Sequence, residues 1–261
     1  MFNQTAYALG ANRSCIRELF EYGRSRAAIV GPENVYDYSL GNPSIPSPKG
    51  VNDAIRDILL DTPSLLVHGY TSATGDLEAR KAISKDLNTR YGADTKPEEF
   101  FLGCGAAPEL CSVFRALSIP GGELIAVAPY FPEYRPFAQE AGLQFKVVPP
   151  DVPDFQISLP RLEALITPHT QAVLINTPNN PSGVVYTRET LQELAALLTR
   201  KAESYGHPIY LISDEPYREL AYGVEVPFVP GIYRDTLICY SYSKSLSLPG
   251  GRIGYVYVPQ A

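Results

Sequence analysis

Ile209-Tyr210-Leu211-Ile212-Ser213-Asp214-Glu215-Pro216-Tyr217 is the stretch on which the reading of this chain turns. A short apolar run gives way at once to a serine, two acids and a proline. Unbroken apolar runs of this length, bounded by turn residues, mark strands covered on both faces. Polar residues directly after such a strand fall at its carboxyl end, where open α/β sheets bind their ligands. Asp214 is thus placed to pair with a buried cationic nitrogen, and Tyr217, three residues on, could reach the same group. The competing reading of Asp214 is a helix cap, a position aspartate favours.

The same strand-then-motif pattern recurs on either side. Upstream, Ala172-Val173-Leu174-Ile175 leads into Asn176-Thr177-Pro178-Asn179-Asn180-Pro181-Ser182-Gly183. Its prolines and glycine fix an irregular turn that could aim an asparagine amide into a site or be a plain loop. Pro181 also excludes a glycosylation sequon at Asn180. Downstream, the strand at 237–241 ends in Ser241-Tyr242-Ser243-Lys244, with Arg252-Ile253-Gly254-Tyr255 following. A lysine among small hydroxyls, with an arginine eight positions on, suits a Schiff-base amine beside an anion site. A solvated surface loop is the alternative. Earlier still, Phe100-Phe101-Leu102 precedes Gly103-Cys104-Gly105-Ala106-Ala107. Small residues there let helix N-terminal amides approach a phosphate, although close helix–strand packing explains them equally well.

Between these strands lie helical patterns. Asp76 caps a helix to about Tyr91 with Leu77, Ile83 and Leu87 on one face; others are expected from Pro108 to Leu117 and from Leu159 to Ile166. Pro132 is expected to open a helix at its first position, and Thr187 to cap one reaching about Ser204. Further strands are expected at 124–128, 145–148 and 253–258. The alternation predicts a three-layer α/β/α domain with a mostly parallel sheet. Ahead of it, a helix from about Ser14 to Ile29 stops at Gly31-Pro32, and the proline-rich stretch 41–48 predicts an extended segment pinned on a surface.

Composition narrows the functional classes. The 261 residues are 45% hydrophobic and 19% charged, enough for a large core. A net charge of −6 without like-charge blocks argues against a nucleic-acid partner. No apolar run nears the ~18 residues of a membrane span, and the first residues lack signal-peptide regions, so a cytoplasmic location is expected. Cys15, Cys104, Cys111 and Cys239 form no Cys-x-x-Cys pair and are expected to be small buried side chains; His68, His169 and His207 show no ligand spacing, so no metal is expected.

Taken together and in order, the Gly-Ala loop, Asn-Pro-x-Gly, Asp-x-x-Tyr, Ser-x-Ser-Lys and Arg-x-Gly resemble the large domain of fold-type I pyridoxal-5'-phosphate (PLP) enzymes, the class I/II aminotransferases. The resemblance runs from about Leu40 to the C-terminus, and the Lys244–Arg252 interval looks like the aspartate aminotransferase branch. It implies PLP as cofactor and amino-group transfer between an L-amino acid and a 2-oxo acid through a Lys244 Schiff base. It further implies that Lys244 shuttles the Cα proton, that Asp214 keeps the ring nitrogen protonated, and that Tyr217 and Asn180 bond the ring's phenolic oxygen. Ser241, Ser243, Arg252 and the backbone of Gly105, Ala106 and Ala107 would hold the phosphate. Phe131 matches the aromatic residue that stacks on the ring; the family usually has Tyr or Trp there, and Tyr130 is the other candidate. Tyr70 resembles the tyrosine that reaches the partner subunit's cofactor phosphate, implying a homodimer with shared sites. Gly41, with Asn180, resembles the residues beside the substrate.

The resemblance divides the chain into an N-terminal arm and helix, 1–48, and a PLP-binding large domain, 49–261. Family members continue into a small C-terminal domain that supplies a carboxylate-clamping arginine, so that domain is expected to be missing or truncated here. Two other functions share these motifs: a PLP-dependent C–S β-lyase on the same fold, and a non-catalytic PLP-binding module.

Overall fold

The computed structural model describes residues 2, 4–11 and 15–260. The chain divides into two compact units, Met1–Ile45 and Pro46–Ala261. The first unit carries α1 (Gln4–Ala11) and α2 (Cys15–Val30). The helix expected at 14–29 is α2; the proposed start, Ser14, lies outside the described residues. It stops where Gly31 takes a positive φ of 88° and Pro32 follows.

Near the start of the second unit the Ser47 hydroxyl donates to the carbonyls of Leu246 (2.8 Å) and Ser247 (2.9 Å). The end of the proline-rich stretch is therefore pinned to the turn that follows Lys244. Two helices follow that the sequence reading did not assign, α3 (Lys49–Asp61) and α4 (Ser64–Val67). Then come α5 (Leu77–Tyr91), β1 (Phe100–Gly103), α6 (Ala106–Leu117), β2 (Glu123–Val127), α7 (Tyr134–Ala141) and β3 (Gln144–Val148). The chain continues through α8 (Leu159–Leu165), β4 (Thr170–Asn176), α9 (Arg188–Tyr205), β5 (Tyr210–Asp214), β6 (Thr236–Ser241), α10 (Tyr242–Ser245) and β7 (Gly254–Tyr257).

Among the described residues these strands form one seven-stranded sheet, in the order β1-β7-β6-β5-β4-β2-β3. β2 to β6 pair in parallel, and β7 runs antiparallel to both β6 and β1. Alternation of side chains across the sheet divides the core. Ile125, Val127, Val173, Ile175 and Leu211 pack with α8 and α9 on one face. Leu124, Ala126, Ala172, Leu174 and Ile212 pack with α6 and α7 on the other. Each fully buried aliphatic side chain contributes roughly 1.5–3 kcal/mol. The expected three-layer α/β/α architecture is the one observed.

Three local expectations are corrected. The helix after β2 begins at Tyr134, because Phe131 accepts from the Tyr134 amide in a preceding turn that holds Pro132. Leu77 is 43% exposed, while Ile83 and Leu87 are buried; as the first residue of α5 it lies beyond the sheet's cover. Of the four cysteines only Cys239 is buried: Cys15 and Cys104 are exposed and Cys111 is intermediate. Asp76 and Thr187 do cap α5 and α9, accepting from Ala79 and Thr190 amides.

Candidate active site

Register alone gathers the motifs. Asn176 pairs with Asp214, Asp214 with Cys239, Ser241 with Gly254, and Gly254 with Gly103. The carboxyl ends of β1, β4, β5 and β6 therefore meet along one edge, joined there by the start of β7.

Asp214, the last residue of β5, is buried. Its Oδ2 accepts a short hydrogen bond from the Tyr134 hydroxyl. Its Oδ1 is buried with no hydrogen-bond partner among the described residues. Burial raises the Asp214 carboxyl to about pH 7; the Tyr134 bond opposes that shift and the neighbouring Glu215 adds to it. An unpartnered carboxylate oxygen at a strand end is a vacancy in hydrogen bonding that a cationic N–H would fill.

The asparagine turn is tied to the same residue. Asn176 donates its side-chain amide to the Asp214 carbonyl at 2.9 Å and accepts from the Asn180 amide at 2.6 Å. Asn180 in turn donates to the Tyr217 hydroxyl at 3.2 Å. Burial raises the Tyr217 hydroxyl, Asp214 adds to the shift, and the bond from Asn180 opposes it. Two neutral donors thus converge where an anionic oxygen could sit.

A second group surrounds an anion cradle. The Ser241 and Ser243 hydroxyls lie 2.7 Å apart, and Ser241 caps α10 by accepting from the Ser243 amide. Gly105 is buried at φ 96° and precedes α6, leaving the amides of Ala106 and Ala107 at a helix N-terminus. A Cβ at Gly105 would stand 2.7 Å from Nη2 of Arg252, so only glycine lets the guanidinium lie against this turn. Arg252 itself takes a left-handed φ of 50° and donates to the Pro249 carbonyl at 3.0 Å. The donor set of hydroxyls, helix amides and a guanidinium fits a phosphate dianion. Lys244 sits half-buried in α10, where burial lowers its amine below the usual lysine value.

Both members of the aromatic pair after β2 meet Tyr134, Phe131 edge-on at 5.6 Å and Tyr130 stacked at 6.4 Å, and Tyr130 also meets Phe145 at 5.3 Å and accepts from Arg135. Tyr70 is fully exposed after α4 and makes no hydrogen bond to these residues. Gly41 lies in the other compact unit.

The sequence model of the family described as "Aminotransferase class I and II" matches residues 33–261. The chain belongs to that family. Its members use PLP, the cofactor that the donor groups around Asp214 and Arg252 fit. Among similar proteins is an aspartate aminotransferase of Thermotoga maritima, 34% identical over 89% of this chain and 60% of that enzyme. A probable N-acetyl-LL-diaminopimelate aminotransferase of Bacillus subtilis is 30% identical, over 89% of this chain and 57% of its own. The crystal structure of an amino transferase from Eubacterium rectale superposes with a TM-score of 0.96 at 53% identity, over all of this chain and 66% of that one. The chain thus spans about 60% of the length of the curated relatives it matches.

Beside the candidate site, two residues escaped the reading of the sequence. Tyr134 was legible only as a tyrosine at the start of a helix; its bond to Asp214 spans 80 positions. Glu109, buried in the first turn of α6, carries no motif at all.

Proposed function

We propose that this chain is the cofactor-binding part of an aminotransferase that moves an amino group between an L-amino acid and a 2-oxo acid. The observation that carries the reading is the buried, unpartnered Oδ1 of Asp214, beside the Asn180–Tyr217 pair and on the sheet edge that also bears Lys244. Bound here, PLP would supply an electron sink for the substrate's Cα electrons. Asp214 would accept from the ring N–H, and Asn180 and Tyr217 would donate to the ring's phenolic oxygen. Ser241, Ser243, Arg252 and the amides of Gly105, Ala106 and Ala107 would hold the phosphate, with Phe131 against the ring face. Lys244 would anchor the cofactor, and its lowered amine would take the substrate's Cα proton.

The wider arrangement follows as part of this proposal: an arm at 1–48, a cofactor domain at 49–261, and a cytoplasmic homodimer active in amino-acid metabolism. Gly41 and Asn180 would border the substrate, and Tyr70 would reach the partner's phosphate site. Ile55, Leu59, Leu60, Leu65 and Leu66 leave an exposed apolar surface on α3 and α4 that suits a second copy. Among the described residues no helix is long and apolar enough to cross a membrane.

The test is product analysis of the PLP-loaded protein with a panel of L-amino acids and 2-oxo acids. A new amino acid and a new 2-oxo acid should appear in equal amounts. Pyruvate and ammonia without a second amino acid would mean a lyase instead.

Tyr134 gives a sharper check. Tyr134→Phe removes the bond that holds the Asp214 carboxyl down. The acid limb of the pH–kcat/KM profile should therefore move to higher pH, with kcat/KM at neutral pH falling about tenfold. An unmoved limb would show that Tyr134 only fills space.

A further inference from the structure

Glu109 is 4% exposed, and among the described residues its carboxyl makes no well-formed hydrogen bond: the Gly105 backbone amide lies near it, outside bonding geometry. Buried carboxyls without partners are rare and costly when ionised. This one is accommodated by glycines. A Cβ at Gly103 would stand 2.8 Å from Glu109 Oε1, and a Cβ at Gly254 would stand 2.7 Å from the same oxygen. That second Cβ would also lie 2.8 Å from the Cα of Gly105, whose missing side chain makes room for Arg252. The glycine at the end of β1, the one at the start of β7 and the one before α6 thus enclose a carboxyl directly behind the anion cradle.

Among the described residues, few titratable or charged groups face it. They are Asp214 at the end of β5, Cys239 on β6, and Arg252 in the segment before β7, while Gly103 and Gly254 present only backbone. Among the described residues Arg252 makes no hydrogen bond to the Glu109 carboxyl and acts on it only through its charge. Burial raises the Glu109 carboxyl to about pH 8; the Gly105 backbone opposes the shift, Asp214 adds to it, and Arg252 opposes it.

We propose that Glu109 is a positioning residue for the anion cradle: as the neutral acid it leaves Arg252 to the phosphate, and as the carboxylate it opposes that same phosphate. The inference rests on the cofactor reading given above and adds a residue and a pH dependence to it. Near neutral pH the acid is held neutral, so the cradle presents its full positive potential. As pH rises through about 8, a negative charge appears behind Gly105 and weakens the anion's hold.

The experiment uses pyridoxamine 5'-phosphate, which carries the phosphate and ring without bonding to Lys244. Its dissociation constant is measured from pH 6.5 to 9.5 on the wild-type chain and on Glu109→Gln. The ratio of the wild-type to the variant constant should rise about tenfold across that range, while effects common to both proteins cancel. A ratio that stays flat overturns the proposal. Should the variant fold poorly, carboxyl ¹³C titration of glutamate-labelled wild-type protein replaces it. One resonance should titrate near pH 8, and its midpoint should rise with saturating pyridoxamine phosphate, as linkage requires. Glutamate resonances confined to the ordinary range, or a midpoint unmoved by ligand, overturn the proposal. Absence of any pyridoxamine phosphate binding at any pH sinks the cofactor reading itself, a different result from a flat ratio.

Discussion

Lys244→Ala is expected to abolish turnover to below detection and to leave any bound PLP unlinked to protein. Two roles are lost at once. The side chain proposed to anchor the cofactor would disappear, and so would the proposed base for the Cα proton, a function that alone is worth about 10²–10⁴ in rate. The local structure should survive. Lys244 is half-buried in a four-residue turn whose cap, the Ser241 hydroxyl accepting from the Ser243 amide, does not involve the lysine side chain. An unchanged unfolding midpoint beside lost turnover would separate chemistry from folding. Borohydride reduction of the PLP-loaded wild type, followed by peptide mapping, should then mark Lys244. A mark on another lysine would falsify the assignment. The lowered amine also gives this lysine a larger unprotonated fraction near neutrality than an exposed one.

Much of this fold was legible because its strands are nearly uniform in chemistry. Ala172-Val173-Leu174-Ile175 and Leu211-Ile212 are covered on both faces, so their sequences carry no polar interruption, and the polar motifs begin where the cover ends. Helix starts were legible where a side chain makes the cap, as at Asp76 and Thr187. They were not where it does not. α3 follows Pro48 with no side-chain cap, and its Ile55, Ile58 and Leu59 face outward in this chain, so neither a start signal nor a buried stripe announced it. Pro132 misled for a related reason. Proline suits a helix's first position and a turn equally, and only the Phe131–Tyr134 bond decides between them.

The candidate site divides the same way. Asp214, Asn180, Ser241, Lys244 and Arg252 stand in short local motifs at strand ends, and sequence order placed them together. Tyr134 and Glu109 depend on partners that only the sheet register supplies: Asp214 for the first, and Gly103, Gly105 and Gly254 for the second. No local spacing encodes a carboxyl enclosed by glycines from three separate segments.

Asp214 carries the second large effect. Asp214→Ala should retain some PLP, because the phosphate donors and Lys244 are untouched, but amino-group transfer should fall by roughly 10³ or more. The loss would belong to kcat, since the Asp214 carboxylate would keep the ring nitrogen protonated, and a protonated ring draws off the Cα electrons far better than a neutral one. Near-normal rates would reduce Asp214 to a strand-end residue satisfied by Tyr134. A stability measurement separates the two roles without any turnover. In the cofactor-free chain the Asp214 carboxyl is raised from its ordinary 3.8 to about 7. Between those values the folded chain binds a proton that the unfolded chain has lost, so stability falls as pH rises from about 4 to about 7 and then levels off. At about 1.4 kcal/mol per unit, the loss is on the order of 4 kcal/mol for this one group. Asp214→Asn cannot titrate, and its unfolding free energy should lack that portion of the slope. Saturation with pyridoxamine phosphate should reverse the slope in the wild type alone, because a cationic ring nitrogen against Oδ1 brings the folded carboxyl below its unfolded value. Stability contributed in that way is present above the unfolded value and lost as pH falls through the folded one. Equal pH slopes for wild type and Asp214→Asn, with and without ligand, would exclude Asp214 as the partner of the ring.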